Sequence, residues 1–150
     1  MKQSLGTQLR HLLDLLDGAV ARNYATMGIG YRPRYTPVLR ALIAGEPCTV
    51  GEIAAAAGIT QPAATQTVSL MVEDRLIEAA SSSDGRQKLL GLTDHGRSLL
   101  PRLQEAWEAT ALAAAGLDDE LPASLSGVLD AAIEALANKS FDERIREASR

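Results

Sequence analysis

The chain has 150 residues, 46% hydrophobic and 23% charged, which suits one compact domain able to bury a core of its own. A net charge of -4 gives no overall basic signature of nucleic-acid binding, and a single cysteine, Cys48, excludes an internal disulfide and a multi-cysteine metal site. The charge is uneven, however: residues 1–100 hold ten Lys/Arg against nine Asp/Glu, and residues 101–150 hold five against ten, so a basic face can sit in the first part. Abundant alanine with 3% aromatics points to closely packed helices.

Met1-Lys2-Gln3-Ser4 leads into an amphipathic pattern and not an apolar signal core. No apolar run approaches the ~20 residues that cross a bilayer, so no membrane partner is expected and the expected location is the cytoplasm. Leu5, Leu9, Leu12, Leu13, Leu16 and Val20 mark one face of a first helix, predicted to end near Tyr24. Thr36 is a candidate N-cap for a second helix, with Pro37 at its first position, Val38, Leu39, Leu42 and Ile43 on its apolar face, and Gly45 as its stop. Thr49 caps a third, with Glu52 completing a capping box, and Gly58 stops it. Thr60 caps a fourth, running to about Asp74.

Leu76-Ile77-Glu78-Ala79 and Lys88-Leu89-Leu90-Gly91-Leu92 read as two short strands around the turn Ser81–Gly85. Thr93 opens a long helix with Leu99, Leu100, Leu103, Ala106, Trp107, Thr110 and Ala114 inward and Gly116 as its end. Asp118-Asp119-Glu120 start a last helix carrying Leu121, Leu125, Val128, Leu129, Ile133 and Leu136, and a charged tail over 138–150 follows that can form a fraying helix.

Helix, turn, helix and a two-stranded wing over 36–93 make the fold class mainly α with a small β-wing, a winged helix-turn-helix. A helix entering the major groove needs short polar side chains at its N-terminal end. Thr60, Gln61, Pro62, Ala63, Thr65 and Gln66 supply that end: either glutamine suits an adenine edge, Thr65 a base or a phosphate, Ala63 a thymine methyl. The wing needs cations at its tip, and Arg86 and Lys88 fit, with Asp84 placed to orient Arg86. Arg40 and Thr49 are the candidate phosphate contacts beside them.

The chain resembles the multiple-antibiotic-resistance regulator (MarR) family of winged-helix transcription regulators. The resemblance rests on Leu39-Arg40-Ala41-Leu42, Thr49–Ala54, Ile59-Thr60-Gln61 with Thr65 and Val68, Leu76-Ile77, Asp84-Gly85-Arg86 and Leu92-Thr93-Asp94-His95-Gly96-Arg97. It spans roughly residues 5–137. It implies a homodimer with an intertwined base from the N- and C-terminal helices, a palindromic operator in double-stranded DNA, and repression relieved by a small aromatic or phenolic effector in a cleft between base and DNA-binding lobe. On this reading 1–150 is a single domain: 1–30 and 98–140 dimerise, 36–93 is the winged helix-turn-helix, and 141–150 is a charged tail.

Four positions depart from the family pattern. Arg75 stands where a glycine commonly follows the recognition helix, Ala79-Ala80 replace positions that are often basic, and Gln66 replaces a common arginine. Fewer phosphate-binding cations predict a salt-sensitive complex of moderate affinity. The light wing charge also motivates an alternative, a winged-helix interaction module without specific DNA binding.

Tyr31, Arg34, Tyr35 and Trp107 are the candidate effector pocket, since arginines among aromatics suit an aromatic carboxylate. Arg32 and Arg34, which flank Pro33, equally suit a DNA phosphate, and the grouping also fits a packed loop with its arginines reaching to solvent. Cys48 has no neighbouring cation to lower its thiol pKa, and Glu46 opposes one. His11 and His95 lack ligand partners at metal spacing. No cofactor is expected, and without a nucleophile–base–acid set, phosphate loop or metal cluster the chain does not read as an enzyme.

Overall fold

The computed structural model describes residues 3–80 and 87–149. They form α1 (Leu5–Thr26), a short 3-10 turn (Pro33–Tyr35), α2 (Thr36–Ala44), α3 (Val50–Ala57), α4 (Gln61–Glu73), β1 (Ile77–Ala80), β2 (Leu89–Leu92), α5 (Asp94–Asp119), α6 (Leu125–Asn138) and α7 (Phe141–Ala148). The chain divides into two compact units, residues 1–106 and 107–150. No helix among the described residues is long and apolar enough to cross a membrane.

Local signals account for most boundaries in the first unit. Thr49 caps α3 through a complete capping box: Glu52 N–H donates to Thr49 Oγ1 at 3.2 Å, and Thr49 N–H to Glu52 Oε2 at 2.8 Å. Gly58 ends α3 in the left-handed region, φ 68°, so that Ile59 N–H reaches back to the Ala54 carbonyl. Arg75 ends α4 in the same way. It takes φ 59°, its N–H donates to the Val72 carbonyl, and Leu76 N–H reaches the Met71 carbonyl. The glycine-type turn is therefore kept with an arginine in it. The cost is about 1 kcal/mol of left-handed strain, set against the buried Met71 and Leu76 that this turn brings into the core.

The core of this unit is formed by Tyr24, Tyr35, Val38, Leu39, Leu42, Ile53, Met71, Ile77 and Leu90, each no more than 2% exposed, with Leu103 and Ala106 of α5. The strands pair antiparallel with Ile77 opposite Leu92 and Ala80 opposite Leu89. Cys48 adds one further rung by exchanging both backbone hydrogen bonds with Leu90, at 3.0 and 2.8 Å. The loop before α3 is thereby tied to the wing. Gly96 lets α5 start hard against β1: a Cβ there would lie 2.2 Å from the Leu76 carbonyl oxygen.

Three sequence expectations are corrected. Thr36 is the first residue of α2 and not its cap; the turn Pro33–Tyr35 leads directly into the helix, and the Thr36 hydroxyl bonds Tyr31 Oη at 3.2 Å. α5 runs through Gly116 to Asp119, because the backbone there stays helical and Gly116 is no left-handed stop. α6 starts at Leu125 with Ser124 as its cap; Asp118, expected inside that helix, accepts from Leu125 N–H at 2.9 Å and from the Ser124 hydroxyl at 3.0 Å. The charged tail is helical over α7, in line with the sequence reading. Ser140 and Glu143 form a capping box, and the Arg144 guanidinium donates to the Lys139 and Ala135 carbonyls, which fixes α7 to the end of α6.

Candidate nucleic-acid interface

Helix α4 presents two sharply different sides. Thr60 caps it by accepting from Ala63 N–H at 3.3 Å, and Pro62 sits in the first turn, where its missing N–H costs nothing. Ala64, Thr67, Val68 and Met71 are buried underneath. Thr60, Gln61, Pro62, Thr65 and Gln66 are exposed, and Ala63 is half-buried. The Thr65 hydroxyl donates to the Gln61 carbonyl at 3.0 Å, which leaves its oxygen as an outward acceptor. All six residues expected at a DNA edge are thus carried on one helix end, and the face continues to exposed Ser69, which the sequence pattern alone did not single out.

Around that helix the supports are side-chain contacts between distant segments. Tyr35 Oη donates to Asp74 Oδ2 at 2.6 Å, tying the turn before α2 to the far end of α4. The Arg34 guanidinium donates to Thr67 Oγ1 at 3.2 Å and to Gln66 Oε1 at 3.4 Å. Arg34, a candidate for the effector pocket, has its guanidinium against α4.

Tyr24, Tyr31 and Tyr35 stack edge to face, with centroids 5.0 and 5.6 Å apart. Tyr31 and Tyr35 are 5% and 0% exposed, and the Arg32 guanidinium lies 6.0 Å from the Tyr35 ring. Burial, more than the carboxylate of Asp74, pushes the Tyr35 phenol up to about 12, and burial likewise raises that of Tyr31. Tyr24 at the end of α1 thus packs with Tyr31 and Tyr35 of the segment before α2. Trp107, the fourth residue of the expected pocket, is half-buried on α5 in the second unit.

At the wing, Asp84 and Arg86 lie outside the described residues, and Lys88 is exposed just before β2. What holds the wing base is Glu46, whose role sequence reasoning missed. Its Oε2 accepts from Leu92 N–H at 2.6 Å, and its other oxygen pairs with Arg97 on α5. Glu46 precedes Arg97 by 51 positions, so no local pattern marks the pair. Arg40 is exposed and lines an open groove of about 490 Å³ with Thr36, Pro37 and alanines of α2 and α3. Thr49 spends its acceptor on the α3 cap and keeps its O–H donor for an outside oxygen.

Cys48 is buried, and burial, with Glu52 second, raises its thiol pKa. The direction agrees with the sequence reading, but the acid concerned is Glu52 and not Glu46. Among the described residues no three His, Cys, Asp or Glu stand together as a metal site needs.

A capped helix end, polar outside and apolar beneath, beside a two-stranded sheet is the winged helix-turn-helix fold. Residues 29–87 match the family model described as MarR family. The fold is similar to the transcriptional regulator MosR of M. tuberculosis, solved in complex with DNA, at 20% identity and TM-score 0.70 over 92% of this chain and 98% of that one. It is also similar to the transcriptional repressor CouR bound to a 23-mer DNA duplex (24%, 0.62, 90% and 91%). A third similar structure is BpsR of Bordetella bronchiseptica, whose DNA binding is regulated by 6-hydroxynicotinic acid (18%, 0.66, 89% and 93%). No curated protein matches the chain by sequence. The matched segment covers the helix-turn-helix, and the fold of the chain is that of these similar regulators.

Proposed function

We propose that the chain is a homodimeric, sequence-specific repressor that reads a palindromic operator and is released by a small aromatic or phenolic acid. The observation that carries the reading is the outer side of α4, where Thr60, Gln61, Thr65 and Gln66 stand exposed over a buried underside. Short polar groups at a helix N-terminus, next to its positive dipole end, are what base edges and phosphates require.

Dimerisation is supported by apolar side chains left open on a single chain. In the first unit α1 exposes Leu5, Leu9, Leu13 and Leu16 at 43–64%. In the second, α6 exposes Val128, Leu129, Ile133 and Leu136 at 38–67%. A soluble monomer rarely leaves such stripes uncovered, and we assign both to a second copy. Segments 1–30 and 98–140 then supply the dimer base. A two-fold partner also gives the two recognition helices that a palindrome demands. The effector class is drawn from the aromatic acid that regulates the similar BpsR. Trp107 is the remaining aromatic side chain we assign to its binding.

Gel-shift titration with the DNA upstream of the protein's own gene, run at low and moderate salt beside a sizing column, tests the reading. A dimer giving a specific, salt-sensitive shift supports it. A folded dimer without any specific shift at low salt removes DNA recognition and leaves the interaction-module alternative.

A further inference from the structure

Gln66 and Arg34 are separated by 32 positions, yet they meet at the edge of the recognition helix. Arginine has five N–H donors and no acceptor, so the atom of Gln66 that faces it must be the carbonyl oxygen. Arg34 does not hang loosely there. Its second bond goes to Thr67, which is 4% exposed, so a buried hydroxyl fixes the guanidinium. Next to it, the Tyr35–Asp74 bond holds the same turn against the end of α4.

This arrangement decides which half of the carboxamide is offered outward. A free glutamine reads adenine with both ends, donating to N7 and accepting from the N6 amine. With Oε1 held by a cation, the Nε2 amine is the outward group, and it only donates. Guanine presents two acceptors, N7 and O6, to such a donor, and the positive charge of Arg34 behind it favours the same electronegative edge. Adenine's N6 amine, in contrast, meets a donor and a cation.

We propose that Arg34 is a specificity-determining positioning residue, which orients Gln66 so that the pair reads guanine instead of adenine at one base pair of each half-site. The proposal rests on the DNA-reading function above and adds to it a base and a second residue. It also gives the chain a way to supply, through Arg34, a cation where the recognition helix itself carries glutamine.

The test is selection from a randomised duplex pool, with the retained DNA sequenced, for wild type, Arg34→Met, Arg34→Lys, Gln66→Ala and the double variant Arg34→Met/Gln66→Ala. The base pair whose preference vanishes in Gln66→Ala is the one Gln66 reads. Guanine is expected there in wild type. Arg34→Met frees Oε1 and is expected to raise adenine over guanine by roughly fivefold or more. Arg34→Lys keeps a cationic donor and is expected to retain guanine, and the double variant should be as indifferent as Gln66→Ala alone.

Thr67→Val, which deletes the hydroxyl that fixes the guanidinium, should shift the preference in the same direction by less; it serves if Arg34→Met folds poorly. Wild-type preference for adenine, or an Arg34→Met protein that binds all sequences equally more weakly with its preference intact, would overturn the proposal while leaving DNA recognition standing. A wild-type protein that selects no sequence at all would remove both.

Discussion

Gly96→Ala is expected to destabilise the protein by about 2–4 kcal/mol, against the usual sign of glycine-to-alanine in a helix. Gly96 lies in the first turn of α5, where the propensity gain from alanine is under about 1 kcal/mol. The new Cβ would sit 2.2 Å from the Leu76 carbonyl oxygen and 3.2 Å from its carbon; approaches under 3.0 Å are essentially never made by real Cβ atoms. The obstacle is backbone, so no rotamer relieves it, and the helix start must move away from β1.

Moving it disturbs a junction in which the Leu76 oxygen accepts from Thr93 N–H at 3.1 Å and from the Thr93 hydroxyl at 3.2 Å, while Gly96 N–H donates to Thr93 Oγ1 at 2.9 Å. Overpacking costs about 1–3 kcal/mol, and each weakened hydrogen bond adds about 0.5–1.5 kcal/mol. For a chain of this length the midpoint should fall by about 5–12 °C. Gly51 in α3 is the control. It is exposed, its nearest contact is 3.9 Å, and Gly51→Ala should be neutral or stabilise by up to about 1 kcal/mol. Thermal and urea unfolding at one fixed protein concentration measures both. A Gly96→Ala protein as stable as wild type, or a larger loss from Gly51→Ala, would refute the steric account of the Leu-Thr-x-x-Gly pattern.

Arg75→Gly should stabilise by a few tenths to about 1 kcal/mol in urea unfolding, since it relieves the left-handed strain at φ 59° but loosens the unfolded chain; a loss of stability would show that the arginine side chain matters more than its backbone. Tyr35→Phe should cost about 1 kcal/mol because exposed Asp74 turns to water, whereas Asp74→Ala should cost about 1–3 kcal/mol because the buried phenol loses its acceptor; the reverse order would count against the geometry. The Tyr35 phenol is raised from 10.0 to about 12, so its contribution is intact below pH about 10 and is lost as pH rises towards 12, and Tyr35→Phe should flatten the fall of stability over that window. Arg86→Ala, at the expected wing tip, should weaken operator binding and lower its salt dependence with dimerisation unchanged; an unaltered salt titration would take Arg86 out of the interface.

The sequence by itself determined what short-range chemistry controls. Thr49 with Glu52, Gly58, and Thr60 with Pro62 act through backbone groups within a few residues, so the caps of α3 and α4 and the stop of α3 were legible, and the polar helix end at Thr60–Gln66 with them. Where a boundary depended on what followed, local signs misled. Gly116 stayed helical because glycine stops a helix only if the chain beyond turns left-handed, and Asp118 became a partner of the next helix's N-terminus instead of its first turn.

Tertiary structure alone decided the contacts that bring separated segments together: Glu46 onto Leu92 and Arg97, Cys48 onto Leu90, Tyr35 onto Asp74, and Arg34 onto Thr67 and Gln66. Each joins residues 32 to 51 positions apart. Such pairs leave no spacing pattern, because their geometry is set by how the helices and the wing pack and not by the pitch of any one element. For that reason the place of Arg34, against Thr67 and Gln66 of α4, was not legible in the sequence.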